Sequence, residues 1–263
     1  YYINELGDIE RSDIYMANPV LREGILKSSS FNSLDSEHAM TINGTILKTC
    51  VLGALMAVTF AYTWYLTLTG FADKAIMLGQ GGSIVGFVLA IIICFAPKNK
   101  FLIITTPLYA MCEGLFLGWI SAMFNMAYPG IAPQAAMGTM LALFGMFILY
   151  KTKLVKCTDK FRMVIFNSTL AIAGIYLLQV ILSFFNHSIP QIFSNSLIGI
   201  GFSLVCVAVA SFNLIVDFDS IERFQGQASK DYEWFFGFSL MVTIVWMYIE
   251  LLKLLAKLQS RNN

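Results

Sequence analysis

The chain has 263 residues, of which 57% are hydrophobic and only 13% are charged, and its mean hydropathy is +0.71. This apolar share exceeds that of an ordinary soluble domain and indicates an integral, multi-pass protein whose surroundings are the lipid bilayer. The net charge of +1, without a basic block interleaved with aromatic residues, argues against nucleic acid as a partner.

The first segment of the chain, residues 1–44, is polar. It mixes charges, serines and one proline without a sustained apolar periodicity. Such a composition is typical of a solvent-facing tail. The sequence therefore predicts two parts, a polar N-terminal tail over residues 1–44 and a seven-helix transmembrane domain over residues 45–263.

Seven apolar runs follow the tail, and short polar or Pro/Gly breaks separate them. Because a helix needs about 20 apolar residues to cross the hydrocarbon core, each run predicts one transmembrane helix of an all-α fold. The runs are Leu47–Leu68, Ala75–Phe95, Phe101–Phe124, Ala135–Tyr150, Phe161–Phe185, Asn195–Val216 and Tyr232–Leu255.

Lysine and arginine concentrate in alternate connecting segments, which predicts the orientation. The tail, the second, the fourth and the sixth interhelical segments are basic, whereas the others contain only Lys74. This places the N-terminus in the cytoplasm and, with an odd number of helices, the C-terminus outside. Lys253, Lys257 and Arg261 oppose the rule, so the last helix either crosses fully, re-enters or stops short.

Two helices carry a polar stripe at helical spacing. A stripe of this kind avoids lipid, because an ionisable group at the bilayer centre is costly, so both helices are expected to turn it inward and the last helix to be central. In the sixth run the stripe is Ser196, Gly199, Ser203, Cys206, Ala210, Asn213, Asp217 and Ser220; in the last it is Ser239, Thr243, Trp246, Glu250, Lys253 and Lys257.

The third run contains a glutamate among apolar and small residues, in the stretch "MCEGLFLGWI". Glu113 shares a side with Gly114 and Gly118, which predicts that it points into the protein. In the second run Gly82 and Gly86 belong to another small seam.

Three inward acids, Glu113, Asp217 and Glu250, are therefore the candidate functional residues. Desolvated carboxylates that lie close together cannot all ionise, so such a cluster would share protons and could sense pH or hold a cation. Plainer readings stay open: Glu113 as a protonated acid tying two helices together, Asp217 as an interfacial residue, and Glu250 as a salt-bridge partner of the lysines behind it. The remaining acids of this region, Asp219, Glu222, Asp231 and Glu233, are expected in a solvated loop.

Several segments resemble one known family in order along the chain. "YAMCEGLFLGWIS", "NLIVDFDSIE" and "WMYIELLKLL", together with "MANPVL" and "YKTKLVKCTDKFR", are similar to the Bax inhibitor-1 family, in particular to its bacterial YccA-like branch. The resemblance extends from Met16 over nearly the whole chain. It implies seven helices, with the last one in the centre and ringed by the other six.

The resemblance also implies a pH-dependent passive leak of Ca²⁺ through the middle of the bundle. An acidic pair on the sixth and seventh helices is the family's pH sensor and latch, and Asp217 and Glu250 occupy the matching positions. They are expected to contact Ca²⁺ transiently as the transported ion, with Glu113, Asn213 and Asp219 as supporting contacts and with no resident cofactor. Either the pair meets at one level, or the three acids form a ladder across the bilayer.

The leading functional prediction is thus a pH-sensitive, calcium-permeable leak or channel gated by buried carboxylates. The alternative is a non-conducting membrane adaptor that modulates a membrane protease or a cell-death regulator, since members of the family are linked to both. An enzyme is not expected, because GxGD, HExxH and GxSxG are all missing from the sequence. The resemblance suggests a bacterial inner membrane or a eukaryotic internal membrane.

Overall fold

The computed structural model describes residues 39–95, 99–185, 192 and 194–262, and within these ranges the chain forms α-helices and no strand. Each of seven helices is long and apolar enough to cross a membrane, which confirms the predicted all-α polytopic fold. The helices are α1 (Ile42–Leu68), α2 (Ala72–Phe95), α3 (Asn99–Ala127), α4 (Ile131–Lys151), α5 (Asp159–Phe184), α6 (Leu197–Phe224) and α7 (Tyr232–Asn262).

The helices extend beyond the apolar runs at several ends. The sixth helix continues to Phe224, eight residues past its run, so Asp219 and Glu222 are helical and the expectation of a loop there is wrong. Arg223 pairs with Asp219 at i,i+4, and a basic residue in the last turn suits the helix dipole. The seventh helix is uninterrupted over 31 residues, so it neither stops short nor turns back.

The start of α1 lies within the predicted tail. The helix begins at Ile42, and its N-cap Thr41 accepts a hydrogen bond from the Gly44 backbone N–H through its side chain. The tail prediction otherwise falls on residues 1–38, which lie outside the described residues.

The chain divides into two compact units. Of the described residues, unit 2 contains 39–132 and 219–242, and unit 1 contains 133–218 and 243–262. Unit 2 therefore holds α1, α2, α3 and the beginning of α7, whereas unit 1 holds α4, α5, most of α6 and the rest of α7.

Small residues let the helices of unit 2 pack closely. A Cβ atom on Gly82 of α2 would lie 2.6 Å from the Cys112 carbonyl oxygen of α3, and a Cβ atom on Gly114 or Gly118 would overlap backbone of α1. Glycine is needed at these positions because apolar helices in lipid associate through close backbone approach. Gly114 and Gly118, the glycines of the third run, therefore allow α3 to pack closely against α1.

Apolar and aromatic side chains fill unit 1 between α5, α6 and α7. Ile165 of α5 packs on Val216 of α6, and Ile172 packs with Cys206 and Val209. Gly138 of α4 lies against Leu251 of α7.

The last helix is the most enclosed one. The protein buries 67% of its most apolar stretch, compared with 50% for α6 and 11% for α1 and α5. In unit 2 its first turns pack on α1 and α3, and in unit 1 its later turns pack on α5 and α6. In each unit α7 therefore packs against two other helices.

Candidate functional site

The polar stripe of α6 is turned into the protein, as its spacing predicts. Only its first member, Ser196, is exposed. The buried members are Gly199, Ser203, Cys206, Ala210, Asn213, Asp217 and Ser220. The stripe of α7 is buried at Ser239, Thr243, Glu250 and Lys257, with Trp246 and Lys253 only partly exposed.

The two stripes face each other along an antiparallel pair of helices in unit 1. Thr243 of α7 bonds to Asp217 of α6, and Ser211 of α6 lies 3.6 Å from the Met247 sulfur. Further along, Lys257 of α7 bonds to Ser203 of α6. Along these contacts the residue number increases on α7 as it decreases on α6, so the contacts define the register of the two helices.

Asp217 is enclosed by protein. Its carboxylate is 1% exposed, and Oδ2 accepts a hydrogen bond of 2.6 Å from the Thr243 hydroxyl. This distance lies within the normal range of an O–H···O hydrogen bond. Asp217 is therefore enclosed within the protein, and α6 continues for seven residues beyond it.

Glu250 is equally buried, but its two oxygens differ. Oε1 accepts a hydrogen bond of 2.8 Å from the Tyr176 hydroxyl of α5 and lies 3.3 Å from the Lys253 ammonium. That ammonium also lies 4.4 Å from the centre of the Tyr176 ring. Oε2 is buried and has no hydrogen-bond partner within the described ranges. Glu250 is thus a salt-bridge partner of Lys253, with half of its carboxylate left unsatisfied.

The two acids of the predicted pair do not lie at one level. Asp217 contacts Thr243, and Glu250 follows Thr243 by seven residues of the same helix. At a rise of 1.5 Å per residue the separation along α7 is about 10 Å. Within unit 1 the acids are therefore two steps of a ladder, each with its own hydroxyl donor.

Asn213, predicted as a supporting ion contact, lies one turn before Asp217 and is buried. Its Nδ2 donates hydrogen bonds to the Thr169 hydroxyl at 2.8 Å and to the Val209 carbonyl at 3.0 Å. Both amide hydrogens are therefore used for packing α6 against α5 and against itself.

The other two predicted contacts belong to unit 2. Glu113 is partly exposed and lies beside Gly86 of α2, where a Cβ atom would be 3.4 Å from its Oε1. Asp219 is 17% exposed and pairs with Arg223. In the part of the chain that the structure describes, no three His, Cys, Asp or Glu side chains form a metal-binding group.

One acid assigned to a solvated loop is instead buried. Glu233 in the first turn of α7 is 1% exposed, forms an ion pair with Lys48 of α1 and accepts hydrogen bonds of 2.9 Å from the Thr41 N–H and hydroxyl. A side-chain acid that caps a distant helix leaves no local sequence pattern, so the sequence gives no signal for it.

Arg162 was interpreted only as an orientation signal, and Lys257 was assigned to the inward stripe of the last helix. Arg162 at the start of α5 is 2% exposed, and its Nε donates to the Cys157 sulfur at 3.3 Å. Ile165, one turn later, packs on Val216 of α6. Lys257 is buried as well. Because Lys257 bonds within the protein, it is a weaker orientation signal than an exposed lysine.

The helices and the buried ionisable groups define a polytopic α-helical membrane protein with a polar interface between its last two helices. The chain belongs to the family whose model is described as Bax inhibitor 1 like, which matches residues 18–260. No curated protein and no solved structure gives a significant match to the chain.

Proposed function

We propose that this protein is a pH-sensitive, calcium-permeable leak of its membrane, gated by Asp217 and Glu250. The observation that carries the proposal is the Glu250 carboxylate, which is 1% exposed and keeps Oε2 without a hydrogen-bond partner within the described ranges. A buried acceptor left unsatisfied costs about 1–3 kcal/mol, so such a group is retained where it serves a purpose. A proton or a cation would satisfy it.

The gate works through competition between protons and Ca²⁺ for the two acids. When protonated, each carboxyl group can hold its neighbours through hydrogen bonds and keep α6 against α7. When the acids are charged, the hydroxyl groups of Thr243 and Tyr176 stabilise them as donors, and the interface attracts a divalent cation.

Calcium would be cargo in this scheme. It prefers six to eight oxygen ligands, and each step of the ladder offers one carboxylate with a hydroxyl group beside it. Water and backbone carbonyls must supply the rest, which favours transit over tight storage. Because the acids are about 10 Å apart along α7, the ion would meet them in sequence rather than together.

The decisive experiment is Ca²⁺ flux into proteoliposomes across a pH series. Asp217→Asn and Glu250→Gln remove one titrating group each at nearly constant volume, and each should flatten the pH profile. Asp159→Asn removes an exposed acid of unit 1 and should leave the profile as in the native protein. A pH profile that survives in both gate variants rejects the gate.

The adaptor function predicted as the alternative depends on the tail. Deleting residues 1–38 removes no described helix, so the leak should keep its Ca²⁺ flux, whereas an adaptor should lose a partner such as a membrane-bound protease. Because several segments are similar to the bacterial branch of the family, a bacterial membrane is the appropriate setting for this experiment.

A further inference from the structure

Lys257 is a buried cation near the end of α7. Its Nζ donates to the carbonyl oxygens of Ile192 and Gly199, at 3.2 Å and 2.9 Å, and to the Ser203 hydroxyl at 2.9 Å. An ammonium group has three hydrogens, so every donor has an acceptor. The residue is only 9% exposed.

The acceptors form a cage of neutral oxygens. Two backbone carbonyls and one hydroxyl group are the same kind of ligand that replaces water around cations in selectivity filters. No carboxylate of the described residues is among the contacts of Nζ. Glu250, the nearest acid before it on α7, is paired with Lys253 instead. The direct contacts of the ammonium group are therefore all neutral oxygens.

This cage lies on the same interface as the two acids. Ser203 belongs to the inward stripe of α6 that contains Asp217, and Lys257 follows Thr243 on the α7 stripe by fourteen residues, or about 21 Å. From the Thr243 end to the Lys257 end, the charged side chains of the two stripes are Asp217, Glu250, Lys253 and Lys257 in turn. The interface is acidic at one end and basic at the other.

We propose that Lys257 is a tethered cation that restricts the leak at the basic end of the α6–α7 interface. Its ammonium occupies the oxygens that a passing ion would use, and its charge repels a divalent ion more than a monovalent one. The proposal rests on the proposed function. It adds that Lys257 sets the resting rate of the leak and makes the leak less permeable to divalent ions.

The test is Ca²⁺ flux into proteoliposomes at a single pH with native protein and four variants. Lys257→Met keeps the length of the side chain without its charge and should raise Ca²⁺ flux about tenfold. Ser203→Asp keeps the tether and neutralises the ammonium, so it should raise flux in the same direction. Lys257→Arg keeps the charge and should keep the Ca²⁺ flux restricted. Lys160→Met is the control: it removes an exposed lysine of unit 1, and its Ca²⁺ flux should equal that of the native protein.

Thermal unfolding of each variant separates a loss of structure from a change in conduction. The inference is overturned if a folded Lys257→Met variant has a Ca²⁺ flux at or below the native value. It is also overturned if Lys257→Arg raises the Ca²⁺ flux as much as Lys257→Met does. If Lys257→Met does not fold, Ser203→Asp decides, and native flux in that variant overturns the inference. A conducting native protein with unchanged variants rejects the inference alone, whereas native and Lys257→Met proteins that are both impermeable reject the proposed function with it.

Discussion

Two glutamates of α7 are almost fully buried, but only one is satisfied. Glu233 receives an ammonium group, a backbone N–H and a hydroxyl group, which together occupy both of its oxygens. Glu250 receives a hydroxyl and an ammonium group on one oxygen, and its other oxygen has no partner in the described part of the chain. A buried acid whose oxygens all accept hydrogen bonds contributes to stability, whereas a buried oxygen without a partner lowers the stability of the folded state. Glu233 therefore has a structural role, whereas the unsatisfied oxygen of Glu250 supports its role in the proposed gate.

Replacing Glu233 with Gln should destabilise the protein. The amide keeps one acceptor oxygen for Thr41 but loses the ion pair with Lys48, whose side chain is 18% exposed, so the loss should be about 1–3 kcal/mol. The measurement is the free energy of unfolding in detergent micelles. Arg223→Met is the matched comparison, because it breaks an ion pair whose arginine is 47% exposed and should cost no more than about 0.5 kcal/mol. Equal losses in the two variants would show that the burial of Glu233 has no energetic consequence.

At the scale of helices, the contact between α1 and α3 depends on the missing side chains of two glycines. A Cβ atom on Gly118 would overlap the Phe60 carbonyl oxygen and the Thr63 hydroxyl group of α1. The overlapped carbonyl is backbone, which cannot rotate away, so α1 itself would have to move.

Gly118→Ala should therefore lower the free energy of unfolding by about 1–3 kcal/mol. Gly53→Ala is the control: its added Cβ atom meets nothing within 4 Å, and alanine favours a helix over glycine by about 0.8–1 kcal/mol, so this variant should be neutral or more stable. Thermal unfolding of both variants in the same detergent gives the comparison. If Gly118→Ala is as stable as Gly53→Ala, close backbone approach does not hold the two helices together.

At the scale of the whole molecule, the described residues form an odd number of candidate spans, seven, so the segments before α1 and after α7 are expected on opposite sides of the membrane. The arrangement of lysine and arginine predicts that the α4–α5 segment is cytoplasmic and that the start of α2 is outside. Lys156 and Lys74 are exposed residues of these two segments.

Labelling of single cysteines should report this topology. In a variant without the five native cysteines, Lys156→Cys should react with a membrane-impermeant maleimide only from the cytoplasmic side, and Lys74→Cys only from the opposite side. Labelling of both positions from one side would contradict the count of spans between them, and a reversed pattern would contradict the orientation.

The sequence by itself determined the class of the protein, the number of spans and the inward faces of α6 and α7. These properties are local: apolar length sets a span, and a three- and four-residue spacing sets a face. Asp217 and Glu250 follow from that spacing because polar stripes cannot face lipid at low cost.

Only the tertiary structure decided which side chains meet. The register of α6 against α7 separates Asp217 and Glu250 by about 10 Å along α7. The packing of the helices also brings Glu250 into contact with Tyr176 and Lys253 and surrounds the Lys257 ammonium with oxygen atoms. The same is true of Glu233, whose partners lie 185 and 192 residues away. Such partners depend on how separate helices slide and rotate against one another, and no repeat within a single helix contains that information.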